Sequence, residues 1–274
     1  MREIFSKLPD GLACKIIMDN INEITLRADK NVVVKANNTY YMLDYIANQT
    51  EIENTLKRFC DLSVYAYLDE LRNGFITVKG GHRIGVCGTA VIKNGDIYNI
   101  KNVNSINIRI ANEYIGCSEN LDFKIKNLLV VSPPGCGKTT LIRDLCRRIG
   151  KNHKVSIVDE RGEIAGIYNG IPSFKIGVMT DVLSLVPKKI GIEYVLRSMS
   201  PEYIVTDEIS VSDCEAIENS LSCGVNIIAT AHGNHIERTL NRIGVSKKNF
   251  LFENIILLSN KNGVGTIEEV VSND

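Results

Sequence analysis

No tryptophan occurs in the 274 residues, and Phe, Tyr and Trp together make up only 6% of them. So few rings leave no stripe of aromatics interleaved with basic residues, the arrangement that stacks and neutralises a single-stranded nucleic acid. Net charge is missing as well. Lys plus Arg and Asp plus Glu each total 32, so the chain offers no overall field to collect phosphates, and no nucleic-acid partner is expected. No apolar run approaches the roughly 20 residues of a membrane helix, and the opening MREIFSKLPDGLACKIIMDN lacks the apolar core of a signal peptide. The expectation is a soluble, cytoplasmic chain with no membrane span of its own. Eight cysteines are present, none in CxxC spacing. Several fall in apolar segments, and they read as reduced thiols rather than metal ligands.

What is present is enough chain for two domains of about 100–150 residues. The first, over 1–112, alternates short apolar runs with turn signals. Ile24–Arg27 and Val32–Val34 predict strands, and Asn37-Asn38 before Tyr40–Leu43 predicts a hairpin. Ile52, Leu56 and Phe59, then Val64, Leu68 and Leu71, recur at helical spacing up to Asn73-Gly74. A Gly80-Gly81 turn and an Asn94-Gly95 pair mark further reversals. Ile106, Ile108 and Ile110 alternate with Asn107 and Arg109, which buries one strand face and turns Arg109 away from it. The polar stretch 113–123 reads as a linker. Over 124–274 the pattern changes to an apolar strand near 127–131 and further strand-like runs near 155–158, 203–206, 226–230 and 255–258. A helix with Leu141, Ile142, Leu145, Cys146 and Ile149 in one stripe follows the first, and helical stretches near 190–199, 211–222 and 235–243 lie between most of the others. Apolar strands alternating with helices predict an α/β domain whose mainly parallel sheet is covered on both faces. Asn262-Gly263 predicts a closing antiparallel hairpin. The whole reads as an α/β core with a mainly parallel sheet, preceded by a smaller α+β N-terminal domain.

Ser132-Pro-Pro-Gly-Cys-Gly-Lys-Thr139 stands between a predicted strand and an amphipathic predicted helix. Small residues let successive backbone N–H groups curl around phosphate oxygens, and the helix N-terminus adds partial positive charge. Pro134, Gly135, Cys136, Gly137, Lys138, Thr139 and Thr140 are therefore the candidate ATP-binding residues, with Lys138 on the β/γ oxygens and the Thr139 hydroxyl on Mg²⁺. Ser132 departs from the glycine usual at that place, but it is small enough for the turn.

Tyr203-Ile-Val-Thr-Asp207-Glu208 supplies the acidic element that such a pocket needs. Asp207 would hold Mg²⁺ through a water, and Glu208 would orient or deprotonate the attacking water. Val155-Ser-Ile-Val-Asp159-Glu160-Arg161 repeats the design, so Glu160 competes with Glu208 for the role of base. Ile227-Ile-Ala-Thr230-Ala-His232-Gly233 ends another buried strand, where Thr230 or His232 could sense the γ-phosphate or position water. Ligands of open α/β sheets bind beyond the carboxyl ends of strands, which is where all these groups fall.

With these elements in view, the chain resembles the stage III sporulation protein AA family of endospore-forming bacteria, itself similar to secretion and pilus-retraction ATPases. The resemblance rests on Glu23–Arg27, Gly80–Gly85, Ser105–Arg109, Ser132–Thr140, Asp159–Arg161, Asp181–Leu183, Pro187-Lys188, Arg197–Pro201 and Thr230–His232. It implies a RecA-like core and a mother-cell ATPase that powers a secretion-like channel into the forespore. It also implies a hexameric ring against membrane proteins of that channel, peripheral to the forespore membrane. Asp159-Glu160 looks like the acidic box of secretion ATPases, and Thr230-Ala-His232 like their histidine box. Arg83 and Arg109 are similar in position to arginines that such enzymes direct at the nucleotide from a neighbouring domain or subunit. Secretion ATPases often have Gly where this chain has Asp207, which leaves open which carboxylate does the chemistry. Readings from other classes are a nucleic-acid-dependent motor, a small-molecule kinase, and an ATP-binding scaffold with weak hydrolysis.

Overall fold

The computed structural model describes residues 2–37, 39–63, 67–72, 74–121, 126–245 and 251–272. Asn38 of the first expected hairpin, Val64 and Asn73 of the expected helical stretch, and Phe123 lie outside them. The chain divides into two compact units, Met1–Asn112 and Glu113–Asp274.

In the first unit α1 (Arg2–Lys7) precedes three strands, β1 (Ile21–Arg27), β2 (Lys30–Ala36) and β3 (Thr39–Ala47). Helices α2 (Gln49–Phe59) and α3 (Leu68–Arg72) follow, then β4 (Phe75–Val78), β5 (His82–Lys93) and β6 (Asp96–Arg109). The strands form an antiparallel sheet in the order β3-β2-β1-β6-β5-β4. Helix α2 begins with a reciprocal cap in which the Glu51 N–H donates to Asn48 Oδ1 and the Asn48 N–H donates to Glu51 Oε2, both at 2.9 Å. Its apolar stripe, Ile52, Leu56 and Phe59, is buried in one core with Ile24, Leu26, Ile84, Ile106 and Ile108 from the sheet. Each fully buried side chain of this size stabilises by about 1.5–3 kcal/mol. The expected alternation of β6 is present: Ile106 and Ile108 are buried and Arg109 is exposed. Asn94 and Gly95 turn the β5–β6 hairpin, both at positive φ.

In the second unit the succession is β7 (Leu128–Ser132), α4 (Lys138–Ile149), β8 (Val155–Asp159), β9 (Ile167–Tyr168), β10 (Ile171–Pro172) and β11 (Thr180–Ser184). It continues with α5 (Lys188–Ser198), β12 (Tyr203–Glu208), α6 (Cys214–Ser222), β13 (Asn226–His232), α7 (Ile236–Arg242), β14 (Asn254–Ser259) and β15 (Thr266–Ser272). The main sheet runs β11-β8-β12-β13-β7-β14-β15. Every pairing in it is parallel except that of β14 with β15, the closing hairpin. Strands β7 and β8 are buried along their whole length, as strands covered on both faces must be.

The polar stretch after residue 112 is tied to the second unit. Gly116 N–H and Ser118 N–H donate to Asp144 of α4 at 3.0 and 2.9 Å, and the Ser118 hydroxyl donates at 2.6 Å. Burial pushes the Asp144 carboxyl up, but hydrogen bonds from Arg147, Ser118 and Gly116 outweigh it and hold the group well below the usual carboxylate range. Gly116, Ser118 and Glu119 are thus held on the helix that follows the Pro/Gly loop.

Candidate functional site

Because the strands are parallel, their carboxyl ends share one edge. The register sets His232 opposite Ser132, Thr230 opposite Glu208, and Thr206 opposite Val158. Sequence alone names these positions as separate strand ends, and the sheet order β8-β12-β13-β7 makes them one row.

The loop from Pro133 to Gly137 joins β7 to α4 as expected. Gly135 and Gly137 take φ of 76° and 88°, the left-handed region where a side chain is strained. A Cβ on Gly137 would also come within 3.2 Å of Val264. The first α4 bond runs from Leu141 N–H to Gly137 O, so the N–H groups of Lys138, Thr139 and Thr140 have no acceptor inside the helix. Ser132 is fully buried, and its hydroxyl donates to the Pro133 carbonyl at 2.7 Å.

Lys138 folds back over the loop. Its ammonium donates to the Ser132 carbonyl at 3.2 Å and to the Pro133 carbonyl at 3.3 Å, and lies 3.1 Å from His232 Nδ1. Burial draws the ammonium down from the ordinary lysine value, with Glu208 pulling the other way. The other ring nitrogen of His232 is 2.5 Å from Glu208 Oε1, and Arg161 reaches Glu208 Oε2 at 3.2 Å. Arg242 donates to the His232 carbonyl. A chain of contacts Lys138–His232–Glu208–Arg161 therefore connects the loop to the ends of β13, β12 and β8.

The two acidic elements differ. Asp159 is fully buried and accepts from the N–H groups of Glu163, Ile164 and Ala165 at 2.8–3.2 Å. Burial raises its pKa against those hydrogen bonds. It organises the loop that carries Glu160 and Arg161. Arg143 of α4 secures the same loop, donating to the carbonyls of Ile164 at 2.8 Å and Glu163 at 2.6 Å while stacking on Phe174. Asp207 is 3% exposed, and neither of its oxygens has a hydrogen bond of good geometry, although Lys188 Nζ lies 3.1 Å from Oδ1. Burial pushes its carboxyl up to about 6, with Lys188 opposing and the nearby Asp159 adding to the rise. Glu160 is half-buried and also contacts Lys188.

Among the described residues no group of three or more His, Cys, Asp or Glu is arranged to hold a metal by itself. A buried carboxylate with unused lone pairs, on the same strand-end edge as a hydroxyl-bearing helix start, suits a hard cation that takes most of its oxygens from a bound triphosphate and water. Mg²⁺ fits that donor set, and Thr139 and Asp207 are the residues that would hold it.

Arg83 and Arg109 belong to the first unit, where they stand directly opposite each other on β5 and β6. Arg83 stacks on Phe75 at 4.6 Å, and Arg109 lies 4.0 Å from Glu23.

The family described as "Sporulation stage III, protein AA" matches residues 11–274. The Stage III sporulation protein AA of Bacillus subtilis (strain 168) is 34% identical over a 294-residue alignment that covers 100% of this chain and 96% of that one. The chain belongs to the sporulation stage III protein AA family. Among solved structures, the ATPase DotB of Legionella pneumophila superposes with a TM-score of 0.59 at 16% identity, covering 87% of this chain and 72% of that one. The pilus retraction motor PilT, solved with bound ADP, gives 0.56 at 17% identity, covering 86% and 74%. At these identities the likeness shows the fold, so this stage III protein AA family member has the mixed α/β architecture of secretion and pilus ATPases. No described helix is long and apolar enough to cross a membrane.

Sequence reasoning set Arg161 at the strand-end edge without a role of its own and assigned none to Arg143 or Lys188. Of those two, Lys188 carried a legible signal. It follows Pro187 at the start of a helix whose first turn has no acidic residue, although a helix N-terminus favours negative charge.

Proposed function

We propose that this chain is a Mg²⁺-dependent ATPase of a secretion-like apparatus that acts during sporulation, coupling hydrolysis to channel assembly or transport between mother cell and forespore. One observation carries the reading: Lys138, at the mouth of a loop of left-handed glycines, is linked through His232 to Glu208 on the strand end two places away.

The roles follow from the chemistry of each group. Backbone N–H groups from Gly135 to Thr140, with the Lys138 ammonium, bind and orient the triphosphate of ATP. Glu208 holds the attacking water and accepts its proton, and His232 fixes the direction of the Glu208 carboxylate. Glu160 stays the second candidate base, on a loop that Asp159 and Arg143 hold in place. Thr139 and Asp207 would hold Mg²⁺, which would supply charge neutralisation at the phosphate oxygens. By resemblance, Arg83 and Arg109 are the residues that would supply guanidinium charge from a neighbouring domain or subunit. The core is RecA-like, the working form is a hexamer, and it sits on the mother-cell side of the forespore membrane against membrane proteins of the channel. Support for these points comes from family membership and from the fold shared with DotB and PilT.

The test is ATP hydrolysis measured alongside molecular mass, with and without nucleotide, for the parent chain, Lys138→Ala and Glu208→Gln. Mg²⁺-dependent phosphate release that needs no acceptor supports the reading. Release that requires single-stranded DNA, or none at all despite tight binding, sends it to the motor or the scaffold.

A further inference from the structure

Lysine is almost never fully buried unless paired, yet Lys188 is only 6% exposed. Fixing its side chain costs up to about 2 kcal/mol in lost rotamer freedom, and its place in the first turn of α5 opposes the helix dipole. The next residue shows the contrast. Lys189 stands in the same turn but stays at the surface with Glu215.

Lys188 reaches its place because α5 lies unusually close to the sheet. Gly191, one turn on, would set a Cβ 2.5 Å from Val158 of β8, so only glycine permits the approach. The ammonium then stands between the ends of two adjacent strands, 3.1 Å from Asp207 Oδ1 of β12 and in contact with Glu160 beyond β8. Apart from this contact neither Asp207 oxygen has a hydrogen-bond partner, so the carboxylate keeps lone pairs beyond the one that faces Lys188. Stability does not explain such an arrangement, since apolar replacements of buried ion pairs are often neutral or stabilising. Four carboxylates, Asp159, Glu160, Asp207 and Glu208, gather at these two strand ends. Glu208 has His232 and Arg161, and Asp159 has backbone N–H groups. Asp207 and Glu160 have Lys188.

We infer that Lys188 is a positioning residue of the nucleotide site, whose buried ammonium holds Asp207 and Glu160 in place while leaving the Asp207 lone pairs free for the hydrated cation of a metal–triphosphate. This rests on the ATPase reading and adds to it a residue outside the loop and the acidic elements.

The test uses the full chain and a fluorescent ATP analogue, whose anisotropy is followed without divalent ion and then over a Mg²⁺ titration, with steady-state ATP turnover in parallel. Lys188→Met is expected to bind the analogue without Mg²⁺ as the parent does. It should need about 10–100-fold more Mg²⁺ for the same gain in affinity, as loss of an outer-sphere partner typically causes. Its kcat should fall by a similar factor while KM at saturating Mg²⁺ stays within about twofold. Lys188→Arg keeps the charge but not the compact ammonium, and its Mg²⁺ half-point should rise by a smaller factor, at least about threefold. Thermal unfolding establishes which variants are folded. A folded Lys188→Met whose Mg²⁺ half-point matches the parent's overturns the inference. So does a folded Lys188→Arg that matches the parent, should the Met variant not fold. A parent chain whose binding shows no gain with Mg²⁺ overturns the ATPase reading and this inference together. A responsive parent with indifferent Lys188 variants overturns this inference alone.

Discussion

The ammonium of Lys138 lies 3.1 Å from Nδ1 of His232. An ammonium has no lone pair to offer, so Nδ1 is the acceptor and the ring proton sits on Nε2, facing Glu208 at 2.5 Å. His232 thereby ties the orientation of the loop lysine to that of the strand-end carboxylate. Replacing it with alanine should leave the fold intact, because the ring is more than a third exposed. Turnover should fall by about 10–100-fold, as when an orienting partner is lost. Steady-state kinetics should place most of the loss in kcat. A variant with unchanged kcat would show that the Lys138–His232–Glu208 chain has no part in the reaction.

Lys138→Ala and Glu208→Gln should separate binding from chemistry. The first removes a charge that the loop directs at the phosphates, so affinity for the triphosphate should drop. The second preserves shape and removes the proton acceptor, so binding should persist while turnover falls by about 10²–10⁴-fold. Equilibrium binding of a fluorescent ATP analogue beside a phosphate-release assay reads both. Should Glu208→Gln hydrolyse at the parental rate, Glu160 takes over as the base to examine.

Arg83 and Arg109 face each other across the β5–β6 ladder, and like charges directly opposite are unfavourable in a sheet. Phe75 beneath one and Glu23 near the other offset part of this. A pair of arginines that works against its own strands suggests a use outside them. Arg109→Ala should therefore change unfolding stability by no more than about 0.5 kcal/mol. If the guanidinium reaches the transferred phosphoryl group, hydrolysis should fall by about 10³-fold or more. Chemical denaturation and a hydrolysis assay on the same preparation check both halves. Hydrolysis left untouched, in a chain whose mass stays that of a monomer with ATP, would rule out the ring mechanism.

Much of this architecture was legible because it follows from burial. The alternation of Ile106 and Ile108 with Asn107, and the apolar runs Leu128–Val131 in β7 and Tyr203–Val205 in β12, state which faces are covered. The Pro133–Gly137 loop was legible through its small residues between strand and helix. Strand β11 was not, because Thr180–Ser184 lies at the sheet edge with no residue fully buried, so its periodicity carries no core signal. The short helix α1 offered too few residues to show a period. The separate roles of Asp159 and Asp207 were hidden for another reason. Both end a β-strand before a glutamate, and only the path of the next loop decides which one is enclosed by backbone N–H groups. Lys188 could be suspected from its conflict with the helix dipole, but its carboxylate partners lie 28 and 19 positions away in sequence.

Within the first unit, His82 on β5 is 9% exposed, and its Nδ1 accepts from the Ala111 N–H at 3.0 Å. Burial lowers its pKa from the ordinary 6.5 to about 4, with Glu3 opposing weakly. Between those values the unfolded chain binds a proton that the folded chain refuses, so folded stability falls as pH drops through this window and levels off below it. The contribution, present in full above 6.5, is on the order of 3 kcal/mol. Asparagine at this position offers an acceptor for Ala111 N–H but does not titrate. Urea unfolding at several pH values should therefore show a shallower loss of stability from pH 7 to pH 4 in His82→Asn than in the parent, by that amount. Parallel curves for the two proteins would mean that the imidazole is protonated in the folded chain, and that the hydrogen bond to Ala111 does not hold it neutral.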